Sequence, residues 1–483
     1  MSANPKNALK ILWPLIIAIA AFLALHSFEP QQRMVGAVFA ATVTLWITEI
    51  LPLAMTALLS TCLLIIFAGV KEKEVFAAYG DPAIPLFIGS FILAKAMELS
   101  GLSERFAYTV LSQRWATKSP SRLLFWLGAI ACAISLFVSN TATTAMLLPV
   151  GLSMLHSLHA DHKGSSFAVA IMLMLTWGSS IAVGVPVGTP PNLIAIDLIE
   201  KSTGTRIGFL EWATFGMPIT ILMTIGAWAV LWFLYRKDAP TTAAATETAR
   251  LDIKQLGPVS NAERNTLVGF IVAIALWILP DLSVAILGPG SAFAKGFQGA
   301  FPPSVASLVG AALLFILPIR DDSKPFTWRE ATTIEWGTIL LFAGGIALGQ
   351  AMFSTGLAKE LGTLAAQASG AHSLWTITAL CTAVAIILSE LASNTASATT
   401  LVPVAIGLAQ GAHVSPIAPA LGVALGASLG FMLPVSTAPN AIVYSSGLVP
   451  AKQMMKAGLL IDIIGFAVTL IGLRIMLPLM GLT

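Results

Sequence analysis

The sequence predicts an all-α polytopic membrane protein, with about 11 transmembrane helices and two re-entrant helical hairpins arranged as two inverted-topology repeats. Three observations support this prediction. Of the 483 residues, 57% are hydrophobic and only 10% are charged, whereas soluble domains carry about 25% charged residues. Apolar runs of about 20 residues recur along the chain, and that length crosses a bilayer as a helix. Motifs also recur in the same order in the two halves.

The alternative architecture, a closed β-barrel, does not fit these apolar runs. Barrel strands alternate apolar and polar residues. Here the runs are continuous, as in LWITEILPLAMTALLSTCLLIIFAGV over residues 45–70. Most of the 26 Lys and Arg residues lie between the runs, so the net charge of +3 indicates membrane orientation and not nucleic-acid binding. We expect a protein of a bacterial inner membrane, with the N-terminus cytoplasmic and the C-terminus outside.

An internal repeat organises the chain. Three motif pairs share one order and nearly one spacing, which indicates a duplication. The pairs are LFIGSFILAKAMELSGL from Leu86 with LFAGGIALGQAMFSTGL from Leu341, SNT from Ser139 with SNT from Ser393, and GTPPN from Gly188 with STAPN from Ser436.

The two halves are joined by a long polar stretch, which is rich in Ala, Thr and charged residues and therefore predicts a linker. Four parts follow from this arrangement. They are an N-terminal transmembrane helix within 1–33, repeat 1 over 34–235, a cytoplasmic linker over 236–265 and repeat 2 over 266–483.

Within these parts, the apolar runs predict the individual helices. A single helix is expected over 11–27. In repeat 1 we expect helices near 34–49, 52–69 and 80–101, a hairpin near 121–156, and helices near 165–199 and 208–235. In repeat 2 we expect helices near 266–284, 301–318 and 335–357, a hairpin near 374–411, and helices near 414–446 and 457–479.

The hairpins are predicted because each SNT separates two apolar arms that are short for a full crossing. A full crossing needs about 20 residues. Interrupted segments at matching places in two repeats are typical of a transporter's binding site, which favours a re-entrant hairpin with its tip near the middle of the bilayer. Two ordinary crossings with SNT in an outside turn remain the alternative.

Each hairpin is followed by a predicted helix break, at 188–192 in repeat 1 and at 436–440 in repeat 2. Proline lacks the N–H that continues a helix, and it favours the first turn of a new one. Thr189 and Thr437 are therefore natural N-caps for the second part of each broken helix. Unwound chain inside a bilayer is tolerated where it is buried in protein or lines a cavity.

The chemistry of these four motifs suits cations and anions together. Freed carbonyls and Ser, Thr and Asn oxygens suit a hard cation such as Na⁺, whereas the N–H groups at helix N-termini suit an anion. The motifs contain no Arg, Lys or His, so cations would offset the charge of a bound dianion. The competing interpretation is that these side chains only cap helices and fill interfaces. The duplication of all four motifs favours the binding interpretation.

Four further charged residues lie within the predicted helices and are weighed for a functional role. Lys95 and Glu98 are spaced to pair on one helix face. Glu390 lies about one helical turn before Asn394, and Asp197 follows Asn192. Intramembrane carboxylates are functional candidates, but structural hydrogen bonding explains Glu390 equally well and Asp197 better.

At the paired SNT motifs and the GTPPN and STAPN breaks, the sequence resembles the divalent anion:sodium symporter family, the INDY-type dicarboxylate transporters, over nearly its whole length. The resemblance implies an α-helical homodimer with a scaffold domain and a transport domain that moves as an elevator. It also implies three sets of site residues. They are Ser135, Ser139, Asn140 and Gly188 for a first Na⁺, Ser389, Ala392, Asn394 and Ser436 for a second Na⁺, and Asn140, Thr141, Asn394, Thr395 and Thr437 for the substrate.

The resemblance implies secondary active transport, in which Na⁺ is the coupling ion and C4-dicarboxylates such as succinate, malate and fumarate are carried. Neither an organic cofactor nor an enzymatic activity is expected, and the expected partners are the dianion, Na⁺, the bilayer and a second copy of the chain. A Na⁺-independent exchanger of dicarboxylates or citrate is the first alternative, and an anion channel is the second. Because neutral hydrogen-bond donors can bind any oxyanion, the sequence does not exclude citrate or sulfate as the substrate.

Overall fold

The computed structural model describes residues 5–288, 290–319, 322, 324–369 and 373–482. In this part of the chain, α-helices dominate and no β-strand occurs, which confirms the predicted all-α class. A few residues of the predicted N-terminal segment and of repeat 2 lie outside the described ranges.

The first half and the linker contain helices α1 to α13. They are α1 (Pro5–Ala24), α2 (Pro30–Thr48), α3 (Leu53–Ile66), α4 (Glu72–Ala77), α5 (Ala83–Ser100), α6 (Leu102–Leu111), α7 (Arg114–Thr117), α8 (Pro120–Ser135), α9 (Asn140–Ser157), α10 (Ser166–Ser180), α11 (Pro190–Thr203), α12 (Phe209–Tyr235) and α13 (Ala243–Gln255).

The second half contains helices α14 to α24. They are α14 (Asn261–Leu287), α15 (Ala292–Ala300), α16 (Pro303–Ile316), α17 (Trp328–Ala331), α18 (Trp336–Ser354), α19 (Leu357–Ser369), α20 (Leu374–Leu391), α21 (Asn394–Gly411), α22 (Ile417–Ala427), α23 (Ala438–Ser445) and α24 (Ala451–Leu479).

The apolar helices fit a membrane protein, although many are shorter than a full span. Among the described residues, six helical segments are long and apolar enough to cross a bilayer, and the pair α15 and α16, bent by 59°, would make a seventh. Shorter apolar helices include α3, α8, α10 and α22. Short pieces are expected where helices are broken, because each piece then spans only part of the bilayer.

The long helices pack in two groups. In the first group, which we call the outer frame, α5, α14 and α16 pack on one another, and α18 packs on α3. The second group, which we call the site bundle, contains α8 to α12 and α20 to α24. The two groups meet where α18 packs on α11 and α21, and where α12 packs on α14.

Three amphipathic helices connect the two groups along the chain. Helix α6 leads from α5 to the first hairpin, α19 leads from α18 to the second hairpin, and α13 lies between α12 and α14. The predicted linker is therefore partly helical. Helix α13 packs on α6 and α9, because Arg250 donates to the Ser112 carbonyl and Ser153 donates to Asp252. These helices were not predicted from the sequence, because their hydrophobic residues cover only one face.

Candidate functional site

The tip of the first hairpin lies between α8 and α9, at the first SNT motif. Ser139 is the N-cap of α9, and its hydroxyl accepts a hydrogen bond from the Ala142 N–H at 3.3 Å. The buried Ser135 hydroxyl donates to the Asn140 side-chain oxygen at 2.9 Å. These contacts fix the tip, and they hold the oxygens of Ser135 and Asn140 together.

The tip of the second hairpin, between α20 and α21, repeats this geometry. Ser393 caps α21 by accepting from the Ala396 N–H at 3.2 Å. The buried Ser389 hydroxyl donates to the Asn394 side-chain oxygen at 2.8 Å, as Ser135 does to Asn140. Ala392 lies between these residues in an extended conformation after the end of α20.

The first helix break separates α10 from α11. The chain leaves α10, forms a short 3₁₀ turn at Pro186–Gly188, and starts α11 at Pro190. The buried Asn192 side chain closes the break, because its amide donates to the carbonyls of Val183 and Val185 at 3.2 and 2.9 Å. Thr189 occupies the predicted N-cap position, but its side chain makes no capping hydrogen bond.

Gly188 lies close to the first hairpin tip. A methyl group added at its α-carbon would meet the Ala182 carbonyl oxygen at 2.2 Å, and would also contact the Leu136 carbonyl oxygen of the tip. Only glycine therefore fits here without displacing backbone. This close approach brings Gly188 near Ser135 and Asn140.

The second helix break separates α22 from α23. Here Thr437 is the predicted N-cap, and its hydroxyl accepts from the Asn440 N–H at 3.2 Å. The Asn440 amide donates to the carbonyls of Gly430 and Leu433, both at 3.0 Å, and to the Ser436 hydroxyl at 3.1 Å. The Asn440 amide thus donates three hydrogen bonds within its break, whereas the Asn192 amide donates two.

The two halves interlock at this site. Helix α9, which starts at the first tip, packs on α23, and α21, which starts at the second tip, packs on α11. Each hairpin therefore packs on the broken helix of the other half. The second hairpin also lies close to the second break at Gly430, where an added methyl group would contact both Ser389 and Thr437.

The structure places most of the predicted residues in two clusters, one at each hairpin tip. The structure brings Ser135, Asn140 and Gly188 together in one cluster, and Ser389, Asn394 and Thr437 in the other. The Ser436 hydroxyl donates within the second break, to the Leu433 carbonyl at 2.8 Å, which leaves its own carbonyl as the group available to an ion. Thr141 and Thr395 are half-buried in the first turns of α9 and α21.

These clusters offer hydroxyl, amide and carbonyl oxygens beside helix N-termini. Such oxygens coordinate hard cations, and the N–H groups at the helix N-termini attract anions. Among the described residues, no group of three or more His, Cys, Asp and Glu side chains has the arrangement of a transition-metal site.

One acidic residue at the first tip was not predicted from the sequence. The Ser139 hydroxyl donates to the Glu335 carboxylate at 2.9 Å, and this residue immediately precedes α18 of the outer frame. Glu335 is exposed and also accepts from the Thr338 hydroxyl. A hydroxyl that donates its proton to a carboxylate has a more basic oxygen, so it becomes a better cation ligand.

A cavity of about 920 Å³ lies between the outer frame and the site bundle, beside the first break. Pro186 and Val187 line it, but none of the predicted substrate-binding residues does. On its wall, Lys201 of α11 contacts Asp197 at 2.7 Å and Asp81 at 2.6 Å. The ion pair between Lys201 and Asp81, which lies just before α5, therefore links the two groups of helices, and Asp197 pairs with Lys201 within α11.

The other polar candidates also have partners. Lys95 contacts Glu98 at 2.8 Å on the same face of α5, as their spacing predicts. Glu390 accepts hydrogen bonds from the Met432 and Leu433 N–H groups at 2.8 and 3.1 Å, so it helps to hold the second break.

Known proteins resemble this chain over nearly its whole length. The family model "Sodium:sulfate symporter transmembrane region" matches residues 6–481. The sodium-dependent dicarboxylate transporter SdcS of Staphylococcus saprophyticus is 30% identical over 485 residues, which cover 97% of this chain and 91% of the relative. The SdcS protein of Staphylococcus aureus (strain USA300) is also 30% identical, over 98% of this chain and 92% of its own length.

A solved structure shows a similar fold. The YdaH transporter of Alcanivorax borkumensis superposes with a TM-score of 0.55 at 14% sequence identity, over 84% of this chain and 88% of the transporter chain. The family model and the staphylococcal relatives confirm the resemblance predicted from the paired SNT motifs. The chain is an integral membrane protein that belongs to the divalent anion:sodium symporter family.

Proposed function

We propose that the protein is a secondary active transporter that carries C4-dicarboxylates, such as succinate, malate and fumarate, together with Na⁺. The observation that supports this most is the matched pair of hairpin tips and helix breaks, which is built from neutral oxygens and helix N-termini. The substrate class rests on the staphylococcal relatives, which are named sodium-dependent dicarboxylate transporters.

In this proposal, each hairpin tip and the break beside it hold one Na⁺. The ligands of the first ion are Ser135, Ser139, Asn140 and Gly188, and those of the second are Ser389, Ala392, Asn394 and Ser436. Gly188, Ala392 and Ser436 would contribute backbone carbonyls. Hard monovalent cations suit such oxygen ligands, and the rigid contacts from Ser135 and Ser389 hold two of these ligands in place.

The dicarboxylate would lie between the two ions, where it contacts Asn140, Thr141, Asn394, Thr395 and Thr437. Helices α9, α21 and α23 begin at or next to these residues, so the positive ends of their dipoles face the dianion. Coupling follows from electrostatics. A dianion enters a site of low dielectric at great cost, and two bound Na⁺ ions offset its charge.

We propose that the site bundle moves across the membrane as an elevator while the outer frame stays fixed. Three connecting helices, α6, α13 and α19, join the two groups, and such connections suit a rigid-body movement. We further propose a homodimer with the N-terminus in the cytoplasm and the C-terminus outside. Light scattering of the purified detergent complex measures the number of copies.

Uptake into proteoliposomes tests the proposed activity. We expect an inward Na⁺ gradient to drive accumulation of succinate, with slower or absent uptake of citrate and sulfate and no effect of a K⁺ gradient of the same size. Uptake that requires an internal counter-substrate and ignores Na⁺ would instead establish an exchanger. Flux that neither accumulates substrate nor saturates would establish a channel.

A further inference from the structure

Two carboxyl groups are buried side by side behind the second hairpin tip. Glu390 is the penultimate residue of α20, and Asp462 lies near the middle of α24. Only 7% of Glu390 and 5% of Asp462 are exposed. Their carboxyl groups lie within hydrogen-bonding reach of each other.

The two groups differ in their hydrogen bonds. Glu390 accepts from the N–H groups of Met432 and Leu433, in the unwound chain between α22 and α23. Asp462 has no such support, because both of its buried carboxylate oxygens lack a hydrogen-bond partner.

No basic side chain offsets this charge within the part of the chain that the structure describes. Helices α20 and α22 contain no other charged residue, and α12, which also packs on α24, has only Glu211 at its start. On α24 itself, Lys452 and Lys456 are exposed near the helix start, and Arg474 lies over the Trp375 ring. Two uncompensated carboxylates in a low-dielectric interior cost several kcal/mol each, so a positive charge is required.

We propose that Glu390 and Asp462 form a third cation site, which binds one Na⁺ in addition to the two ions at the hairpin tips. The proposal rests on the Na⁺-coupled function proposed above. A proton shared between the carboxyl groups would satisfy one Asp462 oxygen and leave the other bare. A hard cation uses both oxygens, together with the lone pairs that remain on Glu390.

The third site would belong to the second half alone. Leu136 occupies the position in the first hairpin that corresponds to Glu390, and α12 has no acidic residue after Glu211. A Na⁺ ion here would tie together the second hairpin, the second break and α24. It would also change the charge carried in each cycle, because three Na⁺ with one dianion move one net positive charge whereas two Na⁺ move none.

The coupling ratio tests the third site directly. In proteoliposomes with the membrane potential set by K⁺ and valinomycin, the succinate gradient that stops net flux is measured at several Na⁺ gradients and potentials. We expect the wild type to couple three Na⁺ to each succinate and to respond to an inside-negative potential. Asp462→Asn removes the charge and keeps the shape, so it should couple two Na⁺ and ignore the potential.

Matched variants and direct binding separate the outcomes. Glu390→Gln should behave like Asp462→Asn, whereas Thr469→Val, a buried change on the same helix, should keep the wild-type ratio. Equilibrium binding of radioactive Na⁺ to the detergent-purified protein without substrate should lose one ion in Asp462→Asn. If either carboxylate variant fails to fold, the other variant still tests the site, and the wild-type ratio still shows whether two or three Na⁺ ions accompany each succinate.

Three results would overturn the proposal. The first is a wild-type ratio of two Na⁺ per succinate, and the second is an unchanged ratio in a folded Asp462→Asn protein. The third is a pH gradient that changes the succinate gradient at which net flux stops in the wild type, because the carboxyl pair would then carry a proton and not Na⁺. Failure of the proposed function looks different, because the wild type would then show no Na⁺-driven uptake at all.

Discussion

The two halves share the contacts that shape the hairpin tips and differ in what surrounds them. In both, a serine donates to the SNT asparagine, at 2.9 Å in the first half and 2.8 Å in the second. The surroundings diverge in their acidic residues, since Glu335 contacts the first tip from the outer frame and Glu390 supports the second break from within the bundle. The two halves thus share the geometry that holds the predicted ligand residues, whereas the acidic residues near each site differ.

The helix breaks show a second difference. The Asn440 oxygen accepts from the Thr176 hydroxyl at 2.8 Å, across the interface between α10 and α23. The corresponding oxygen of Asn192 is buried without a partner, and the repeat alignment places Ala424 at the position that corresponds to Thr176. Since an unsatisfied buried acceptor costs about 1–3 kcal/mol, the first break is held less firmly.

The largest expected effect tests what the halves share. Asn140→Ala and Asn394→Ala should each reduce Na⁺-driven succinate uptake by about 100-fold or more, because each removes an oxygen proposed to bind both Na⁺ and substrate. Thr109→Ala, on the exposed face of α6, is the control for the uptake assay. Size-exclusion chromatography checks that the variants stay folded, and uptake that persists in both would refute the site assignment.

The second effect compares the stability of the two breaks. Asn440→Ala should lower the free energy of unfolding by about 3–5 kcal/mol, because it removes four side-chain hydrogen bonds and leaves the buried Thr176 hydroxyl without a partner. Asn192→Ala should cost less, about 1–3 kcal/mol, since it removes two hydrogen bonds and also an unpaired oxygen. Thermal unfolding in detergent measures the difference, and equal losses would mean that the extra contacts of Asn440 contribute nothing.

The third effect concerns only the first tip. Glu335→Gln keeps the shape and an acceptor for Ser139 but removes the negative charge, so the Na⁺ concentration for half-maximal uptake should rise about 3- to 10-fold. The substrate KM at saturating Na⁺ should change little. Glu330→Gln, at a half-buried position in the cap of the neighbouring helix α17, serves as the control. An unchanged Na⁺ requirement would show that the contact between Ser139 and Glu335 is only structural.

Sequence predicted the positions of both tips and both breaks because each has a local cause that occurs twice. Ser139 and Ser393 cap helices, and the prolines after Thr189 and Thr437 start new ones. The contacts between distant segments had no such signal. The hydrogen bond from Thr176 to Asn440 joins residues 264 positions apart, and its threonine has no counterpart in the other half.

Glu335 was also not predicted, because its contact joins segments that are distant in the sequence. It is one exposed carboxylate at the start of an apolar helix, and its partner lies 196 residues earlier in the chain. The amphipathic connecting helices were missed because a search for continuous apolar runs does not detect them. Sequence thus predicted a set of ligand residues, and the fold was needed to show which other residues contact them.

The smallest expected effect comes from making the first break resemble the second. Ala424→Ser places a hydroxyl at the position that corresponds to Thr176, where it can donate to the unpaired Asn192 oxygen. A new buried hydrogen bond contributes about 0.5–1.5 kcal/mol, and the added oxygen costs part of this in a tightly packed position, so a net gain of about 0.5 kcal/mol is expected.

Two matched variants make this small effect interpretable. Thr176→Val removes the corresponding hydroxyl from the second break and should destabilise the protein by about 1–2 kcal/mol, because Asn440 then carries an unpaired oxygen. Ala424→Ser combined with Asn192→Ala should show no gain, since the acceptor is absent. If Ala424→Ser stabilises the protein equally in both backgrounds, the benefit comes from packing and the two breaks do not differ through this hydrogen bond.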